Sequence, residues 1–402
     1  MTWPIVQLKE CARIVGGATP KSEVGEYWNG DIPWTTPKDL SDLDGKFLSD
    51  TPRKITDLGL KNCSSELLPP NSVLFSSRAP IGHVAINTVP MATNQGFKSM
   101  VPGPNLDASF LYWWLKCHRP QLEQLGNGAT FKEVSKAVVE RIEIPVPPLE
   151  EQKRIAAILD QADELRRKRQ RALDRLNQLG QAIFIEMFGD KINSVATKIT
   201  IGDVSERVTK GESPKWQGHS YVDDGALFVT SENVGWGELL SKEPKFVPME
   251  FHLGKLRRSK LQSGDILINL VGASIGRACI FESEFGEANI NQAVAVVTLT
   301  DGPLLSAYLL AYLLSPWGQE QILGSRVEGA RANISLTDVR NFEFYIPPTE
   351  QLSRFVESVA GVARSCASAR NALAAHADLF TSLQHRAFRG EVFASSPKEA
   401  AA

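Results

Sequence analysis

Cysteine and histidine are scarce, with five and six in 402 residues. Cys11, Cys63, Cys117, Cys279 and Cys366 form no C-x-x-C pair, which argues against a disulfide framework and a zinc site and leaves reduced thiols as the plain expectation. His83, His118, His219, His252, His376 and His385 are dispersed without an H-E-x-x-H motif, so none is singled out as a metal ligand or base. No G-x-x-x-x-G-K-[ST] loop is present to cradle a phosphate, since "DGKF" and "LGKL" hold Gly-Lys without the hydroxyl residue. The [DNS]-P-P-[YF] signature of amino-methyltransferases is missing too: the Pro-Pro pairs read "LPPN", "VPPL" and "IPPT". The triplet Glu243 to Lys245 has the E-x-K form of some nucleases, but that pattern is degenerate and reads as a solvated turn. No catalytic residue and no metal site is assigned.

Long apolar runs are also lacking. The longest, "LLSAYLLAYLL", is too short to span a bilayer, and "MTWPIVQLKECARIVGG" lacks the order of a signal peptide. The expectation is a soluble, cytoplasmic protein without a membrane partner. The basic excess of a simple DNA binder is absent as well, because the formal net charge is -2. By segment it is 0 over 1–148, +1 over 149–188, -4 over 189–348 and +1 over 349–402. Any attraction to phosphate must be local or supplied by a partner.

What the chain does have is length for two globular units, with 43% hydrophobic residues to fill their cores, and an internal repeat. "GGATPK" (16–21) corresponds to "KGESPK" (210–215), and "DIPWTTPKDL" (31–40) to "GALFVTSENV" (225–234), both at an offset of 194. Ile81-Gly82 pairs with Ile275-Gly276 at 194, Asn94-Gln95 with Asn291-Gln292 at 197, and Pro147-Pro148 with Pro347-Pro348 at 200. Each half is therefore one globular block followed by one helical block. Within the blocks, "SVLFSS", "HVAINTV", "DILINL" and "AVAVVTLT" read as strands, and "ASFLYWWLKCHR" and "LLSAYLLAYLLSPWG" as buried helices. Trp113, Trp114, Tyr308 and Tyr312 are assigned to the core.

The helical blocks carry narrow apolar stripes. One runs through Ile155, Ile158, Ala162, Leu165, Ala172, Leu176, Leu179 and Ile183, with Arg169 at a seam position where it could fix register. The other runs through Leu352, Phe355, Val359, Val362, Cys366, Ala369, Leu373, Phe380 and Leu383, with His376 interrupting. A helix of nearly 40 residues would be about 60 Å long, too long to bury in its own block. Its natural partner is its own repeat, packed antiparallel. The Pro-Pro pair suits a helix start, and Glu150 and Glu151 suit the positive end of the helix dipole. "PPLEEQ" becomes "PPTEQ" in the second copy, one residue shorter, so the two starts are expected to differ slightly in register. The run "RRKRQR" (166–171) spreads around the helix and is read as a solvated or partner-facing surface. The predicted class is α+β: two similar mixed α/β domains (1–148 and 189–348), each followed by a long helix (149–188 and 349–390), with pseudo-two-fold symmetry and a disordered tail at 391–402.

In order and in duplicate, "GDIPWTTPKDL", "SSRAPIGHVAI", "TNQGF", "GNGATFKEVSK" and "IPVPPLEEQKRI" resemble the DNA-specificity subunit of type I restriction-modification systems, over roughly residues 1–390. The resemblance implies a non-catalytic subunit in which each target-recognition domain reads one half of a split double-stranded DNA target. The paired helices would act as a ruler between the halves, spaced by about one helical turn, roughly 10 base pairs centre to centre. Two methyltransferase subunits would methylate adenine with S-adenosylmethionine, flipping the base, and restriction subunits would translocate and cleave with ATP and Mg. No cofactor is expected on this chain. A protein-only coiled-coil scaffold, or the recognition region of a methyltransferase or nuclease acting without a restriction subunit, would be the other readings.

The aligned loops with groove-compatible side chains supply the DNA-binding candidates. These are Thr36, Lys38 and Asp39 against Thr230, Ser231 and Asn233; Ser77 and Arg78 against Gly272 and Ser274; and Thr130 and Lys132 against Arg331 and Asn333. The plain alternative at each is a turn cap. The differences between copies, such as Arg78 against Gly272, are expected to give two different half-sites.

Overall fold

Twice in this chain a short strand runs into a Pro-Pro pair and out into a long helix. Strand Glu143–Pro145 leads to helix Leu149–Asn193, and strand Glu343–Tyr345 to helix Thr349–Phe388. A proline at the head of a helix forfeits no intrahelical donor, and its carbonyl is free to accept from the first turn. Pro148 O accepts from the amides of Glu151 and Gln152 (2.8 and 3.1 Å), and Pro348 O from those of Gln351 and Leu352 (2.9 and 3.1 Å). The starts are thus equivalent at an offset of 200, which corrects the expected slip of register. "PPTEQ" has lost no residue: Leu352 occupies the place of Gln152.

The computed structural model describes residues 3–78, 80–127, 132–194, 198–240, 243–325 and 333–391. The chain divides into two units, residues 1–170 with those from 372 onward, and residues 171–371. Unit 1 holds a five-stranded sheet in the order Ala12–Gly16, Lys98–Pro102, Val73–Phe75, Val84–Asn87 and Phe47–Leu48. A three-stranded sheet (Lys54–Ile55, Trp28–Thr35, Ala92–Thr93) and the pair Ile5–Gln7 with Glu143–Pro145 complete it. Unit 2 repeats the scheme. Its larger sheet runs Ser205–Lys210, Val294–Leu299, Ile266–Asn269 and Ala278–Ile280, and its smaller one Phe246–Val247, Ala226–Val229 and Ala288–Ile290. Lys198–Thr200 pairs with Glu343–Tyr345. In both units the middle strand of the small sheet has one antiparallel and one parallel neighbour.

The central strands are buried on both faces, as their unbroken apolar runs require. Trp113, Trp114, Tyr308 and Tyr312 lie in the cores. The long apolar run of the second half is broken at Ser315 and Pro316 into helices Pro303–Leu314 and Pro316–Gly324. All five cysteines are free, and burial pushes the Cys279 thiol up to about 12. No helix among the described residues is long and apolar enough to cross a membrane.

Each unit contains the start of one long helix and the end of the other, the order of pairing that antiparallel helices produce. In unit 1, Ile155, Ala156 and Leu159 join the core that takes Phe380, Leu383 and Phe388. Asp160 anchors the first helix through Lys46 (2.6 Å) and the Trp113 indole (2.8 Å). In unit 2, Phe184 and Phe188 pack on Phe355 (ring centroids 5.8 and 5.5 Å) and Tyr308 (5.4 and 5.0 Å). Phe188 and Phe388, 200 apart, each plug a helix end into a globular core, Phe388 meeting Phe110 at 5.5 Å.

The seam departs from the sequence reading at Leu165, Ala172 and Leu179, and Ala172 is exposed like the two leucines. Leu165 and Leu179 are 43% and 41% exposed. The covered stripe of the first helix runs through Ile155, Leu159, Ala162, Arg166, Arg169, Leu173, Leu176, Gly180, Ile183 and Met187, and Ile158 is half-buried beside it. Steps of three and four carried forward from Ile155 pass one residue beyond each of those three positions. The second helix shows the same stripe shifted by 200, with Phe355 buried and Val359, Leu373 and Phe380 half-buried, and Leu352 buried one turn ahead of it. Within "RRKRQR", Arg166 and Arg167 both pair with Asp163 (2.8 and 3.0 Å) and Lys168 with Glu164 (2.7 Å), so carboxylates of the same helix occupy these cations. The first helix continues to Asn193, five residues past the expected boundary at 188, and 392–402 lie outside the described residues.

Candidate nucleic-acid interface

In each unit an asparagine ties the loops between the strands into one ring. Asn94 N donates to Thr35 O (2.9 Å) while its Oδ1 accepts from Gly96 N (2.9 Å). Gly96 O takes the Ser77 amide (2.7 Å), and Ser77 O takes that of Val134 (2.8 Å). Unit 2 has the same ring: Asn291 N to Val229 O (3.0 Å), Ala293 N to Asn291 Oδ1 (3.0 Å), Leu270 N to Ala293 O (2.9 Å) and Ile334 N to Leu270 O (3.0 Å). The motif "TNQGF" and its partner "INQAV" are therefore the loop hubs. Gly17 and Gly211 pass so close to the hub strand that a Cβ would overlap the carbonyl oxygens of Thr93 and Asn94, or of Ile290. That approach explains a glycine at this point of "GGATPK" and "KGESPK".

Several candidate side chains turn out to build these loops. Asp39 Oδ2 accepts from both the amide and the hydroxyl of Thr36 (2.7 Å each), capping helix Pro37–Ser41. Asn233 Oδ1 accepts from the amide and hydroxyl of Thr230 in the same way (3.0 and 2.9 Å), and its Nδ2 donates to Leu240 O (3.2 Å). These four residues cap turns, as the T-x-x-[DN] spacing itself dictates. Ser77 is fully buried and its hydroxyl donates to Gly96 O (3.1 Å), so it cannot face a ligand. Ser231 is half-buried and its carbonyl holds the Asn269 amide (2.8 Å). Ser274 is half-buried, its hydroxyl 3.4 Å from Val271 O.

Lys38, Arg78, Lys132 and Asn333 are exposed. Arg78 Nε pairs with Glu133 (2.7 Å), which also holds Lys98 (3.1 Å). Burial would raise the Glu133 carboxyl, but the bonds from Arg78 and Lys98 outweigh it and hold the group below its ordinary range. Asn333 forms a β-bridge with Val271. Thr130 and Arg331 lie outside the described residues. Equivalent positions therefore carry different chemistry: the exposed Lys38 corresponds to the exposed Glu232, and Glu133, bridged to Arg78, corresponds to Asn333, bridged to Val271. Among the described residues no group of three or more His, Cys, Asp or Glu could hold a metal ion.

One pair of residues on the small sheets escaped the sequence reading. Arg53, and Lys245 at the end of the E-x-K triplet, occupy the same place in the two copies. Their backbone carbonyls accept from Trp34 N (3.1 Å) and Phe228 N (2.8 Å), and those two donors are themselves 194 apart. Only the strand pairing reveals this, because the loops leading to them differ in length.

Residues 1–175 match the family model described as the type I restriction modification DNA specificity domain. The type I restriction enzyme MjaIX specificity subunit of Methanocaldococcus jannaschii is 36% identical over 190 residues, 47% of this chain and 44% of that protein. The MjaVIII specificity subunit of the same organism is 26% identical over 286 residues, 68% of this chain and 65% of its own length. The chain thus spans about half to two thirds of these two relatives. The EcoBI specificity subunit of Escherichia coli is 25% identical over 408 residues, covering 93% of this chain and 78% of the relative. Among solved structures, a chain from work on complex assembly and conformational transition of the type I R-M system superposes with a TM-score of 0.62 at 18% identity, covering 97% and 98% of the two chains. The type I restriction-modification S subunit from M. genitalium gives 0.53 at 15%, covering 96% of each. These two likenesses speak for the fold: residues 1–175 match the type I restriction modification DNA specificity domain, and the second half of the chain repeats the hydrogen-bonded loops of the first.

Proposed function

We propose that this chain is the sequence-reading subunit of a type I restriction-modification complex, with each unit reading one half of a bipartite double-stranded DNA target. The observation that carries the reading is the loop ring built twice from the same hydrogen bonds while its exposed positions differ between copies. Such a scaffold repeats the mode of docking and varies what is read. Phosphate contacts position a protein on DNA, whereas side chains at base edges specify sequence.

The paired long helices serve as the spacer, fixing the gap at about one helical turn of DNA. The chemistry belongs to partners. Two modification subunits bring S-adenosylmethionine and methylate adenine in each half, and restriction subunits bring ATP and Mg for translocation and cleavage. The near-neutral net charge fits a reader whose partners supply part of the phosphate attraction.

Co-expression with the modification subunit, followed by mapping of methylated adenines, tests this. Two short sequences separated by a fixed unread gap are expected. A contiguous motif contradicts the bipartite reading, and a complex that neither binds nor methylates DNA contradicts DNA recognition altogether.

A further inference from the structure

Just before the edge strand Lys54–Ile55 of the small sheet in unit 1, an arginine packs against two indoles. The Arg53 guanidinium lies 4.1 Å from the Trp28 ring centroid and 4.8 Å from that of Trp34. The two rings meet edge-on at 5.1 Å and 87°. Both indoles are themselves fixed, since Trp34 Nε1 donates to Ala18 O (3.0 Å) and Trp28 Nε1 to Lys21 O (3.2 Å). The Arg53 backbone is held as well, its carbonyl accepting from Trp34 N and from the Thr51 hydroxyl (3.1 and 2.7 Å).

This arginine is exposed, and among the described residues it has no carboxylate partner. The nearby acid, Asp50, pairs with Lys54 (3.1 Å). The corresponding place in unit 2 is built otherwise. Lys245 lies 5.9 Å over the Tyr221 ring and pairs with Glu232 (3.2 Å), where the repeat puts Lys38 in unit 1. One copy therefore offers an unneutralised fork, and the other a closed ion pair.

We propose that Arg53 is a specificity-determining residue that reads a guanine in the half-site bound by unit 1. This rests on the DNA-recognition reading above. A flexible charge would suffice for a phosphate. A corner of two fixed indoles restrains where the fork sits, which helps a bidentate bond to guanine O6 and N7. Holding the side chain in place beforehand also reduces the entropy lost on binding. Lys245 has no fork, and its ammonium is already engaged, so unit 2 makes no such contact at the equivalent base.

The test selects duplexes from a randomised library with the full chain in complex with its modification subunits, using wild type, R53A and R53K. Both variants are expected to lose preference at one guanine position of a single half by roughly 5- to 150-fold, with the other positions and the other half retained. Unchanged preference in R53A overturns the proposal. So does a weakening uniform over sequences that R53K restores, which marks a phosphate contact. Loss of the whole half in R53K with a lowered melting temperature marks a purely structural clamp and overturns it too. A wild-type complex that selects no bipartite sequence instead refutes the proposed function, whatever Arg53 does.

Discussion

Gln152 is the side chain that fastens the first long helix to unit 1, and removing it should be felt well beyond one contact. It is fully buried. Its Oε1 accepts from Asp107 N (2.8 Å), and its Nε2 donates to Asn105 O (2.9 Å) and Pro147 O (2.8 Å). The position in the second copy is Leu352, buried against an aromatic core, so Q152L imposes the unit 2 solution on unit 1. Three hydrogen bonds at about 0.7–1 kcal/mol each, plus about 1–2 kcal/mol for leaving the buried Pro147 carbonyl unpaired, give roughly 3–5 kcal/mol. Leucine fills most of the volume, so little cavity term is added. For a unit of this size the expected drop in Tm is about 6–20 °C. Hydrogen exchange reads the site itself: the Asp107 amide should lose protection by roughly 150-fold or more for 3 kcal/mol. The reciprocal L352Q buries an amide among Phe184, Phe188 and Phe355 and should destabilise unit 2. A Q152L protein with Tm within about 2 °C of wild type and less than tenfold loss of protection at Asp107 would refute the view that this network sets the helix junction.

Other consequences follow from the loop ring and the helix ends. Gly17→Ala forces a Cβ into backbone carbonyls and should destabilise unit 1 by several kcal/mol, on the order of 3, and abolish reading of its half-site, while the other half is still selected; full retention of both halves would contradict the hub geometry. His118 stacks on Trp114 (4.3 Å) and meets Phe388 (6.0 Å). Burial holds its pKa below the ordinary value, against the opposing bond to Trp114 O, and His83 is lowered mainly by burial as well. With folded values below the unfolded one near 6.5, the neutral rings contribute stability that is fully present above about pH 6.5 and is lost as pH falls through the folded pKa. Thermal melts from pH 7.5 to 5 should show this loss for wild type and less of it for H118Q; parallel curves would count against it.

The fold was legible where local chemistry leaves a mark. Pro-Pro pairs, the Asn hubs and the Ile-Gly turns repeat because each solves a backbone problem twice; Gly82 and Gly276 both take positive φ (85° and 84°). The seam was legible in period but not in phase at Leu165 and Leu179, because leucine marks apolarity while the heptad marks position. Thr36, Asp39, Thr230 and Asn233 looked like readers since polar loop residues often are, yet their three-residue spacing already spelled a cap. Ser77 was opaque: whether a residue just past a strand faces inward depends on the neighbouring loop, here Gly96. Arg53 left no mark because its platform comes from residues about 20 positions away that only strand pairing brings to it.

Whether each unit reads one half of the target independently is tested most directly by grafting. Residues 1–148 are replaced with the corresponding block of a related specificity subunit, the chimaera is assembled with its modification subunits, and methylated adenines are mapped. The loops tied together within each unit predict that one half of the motif changes while the other half and the gap stay as they were. A change in both halves would contradict it.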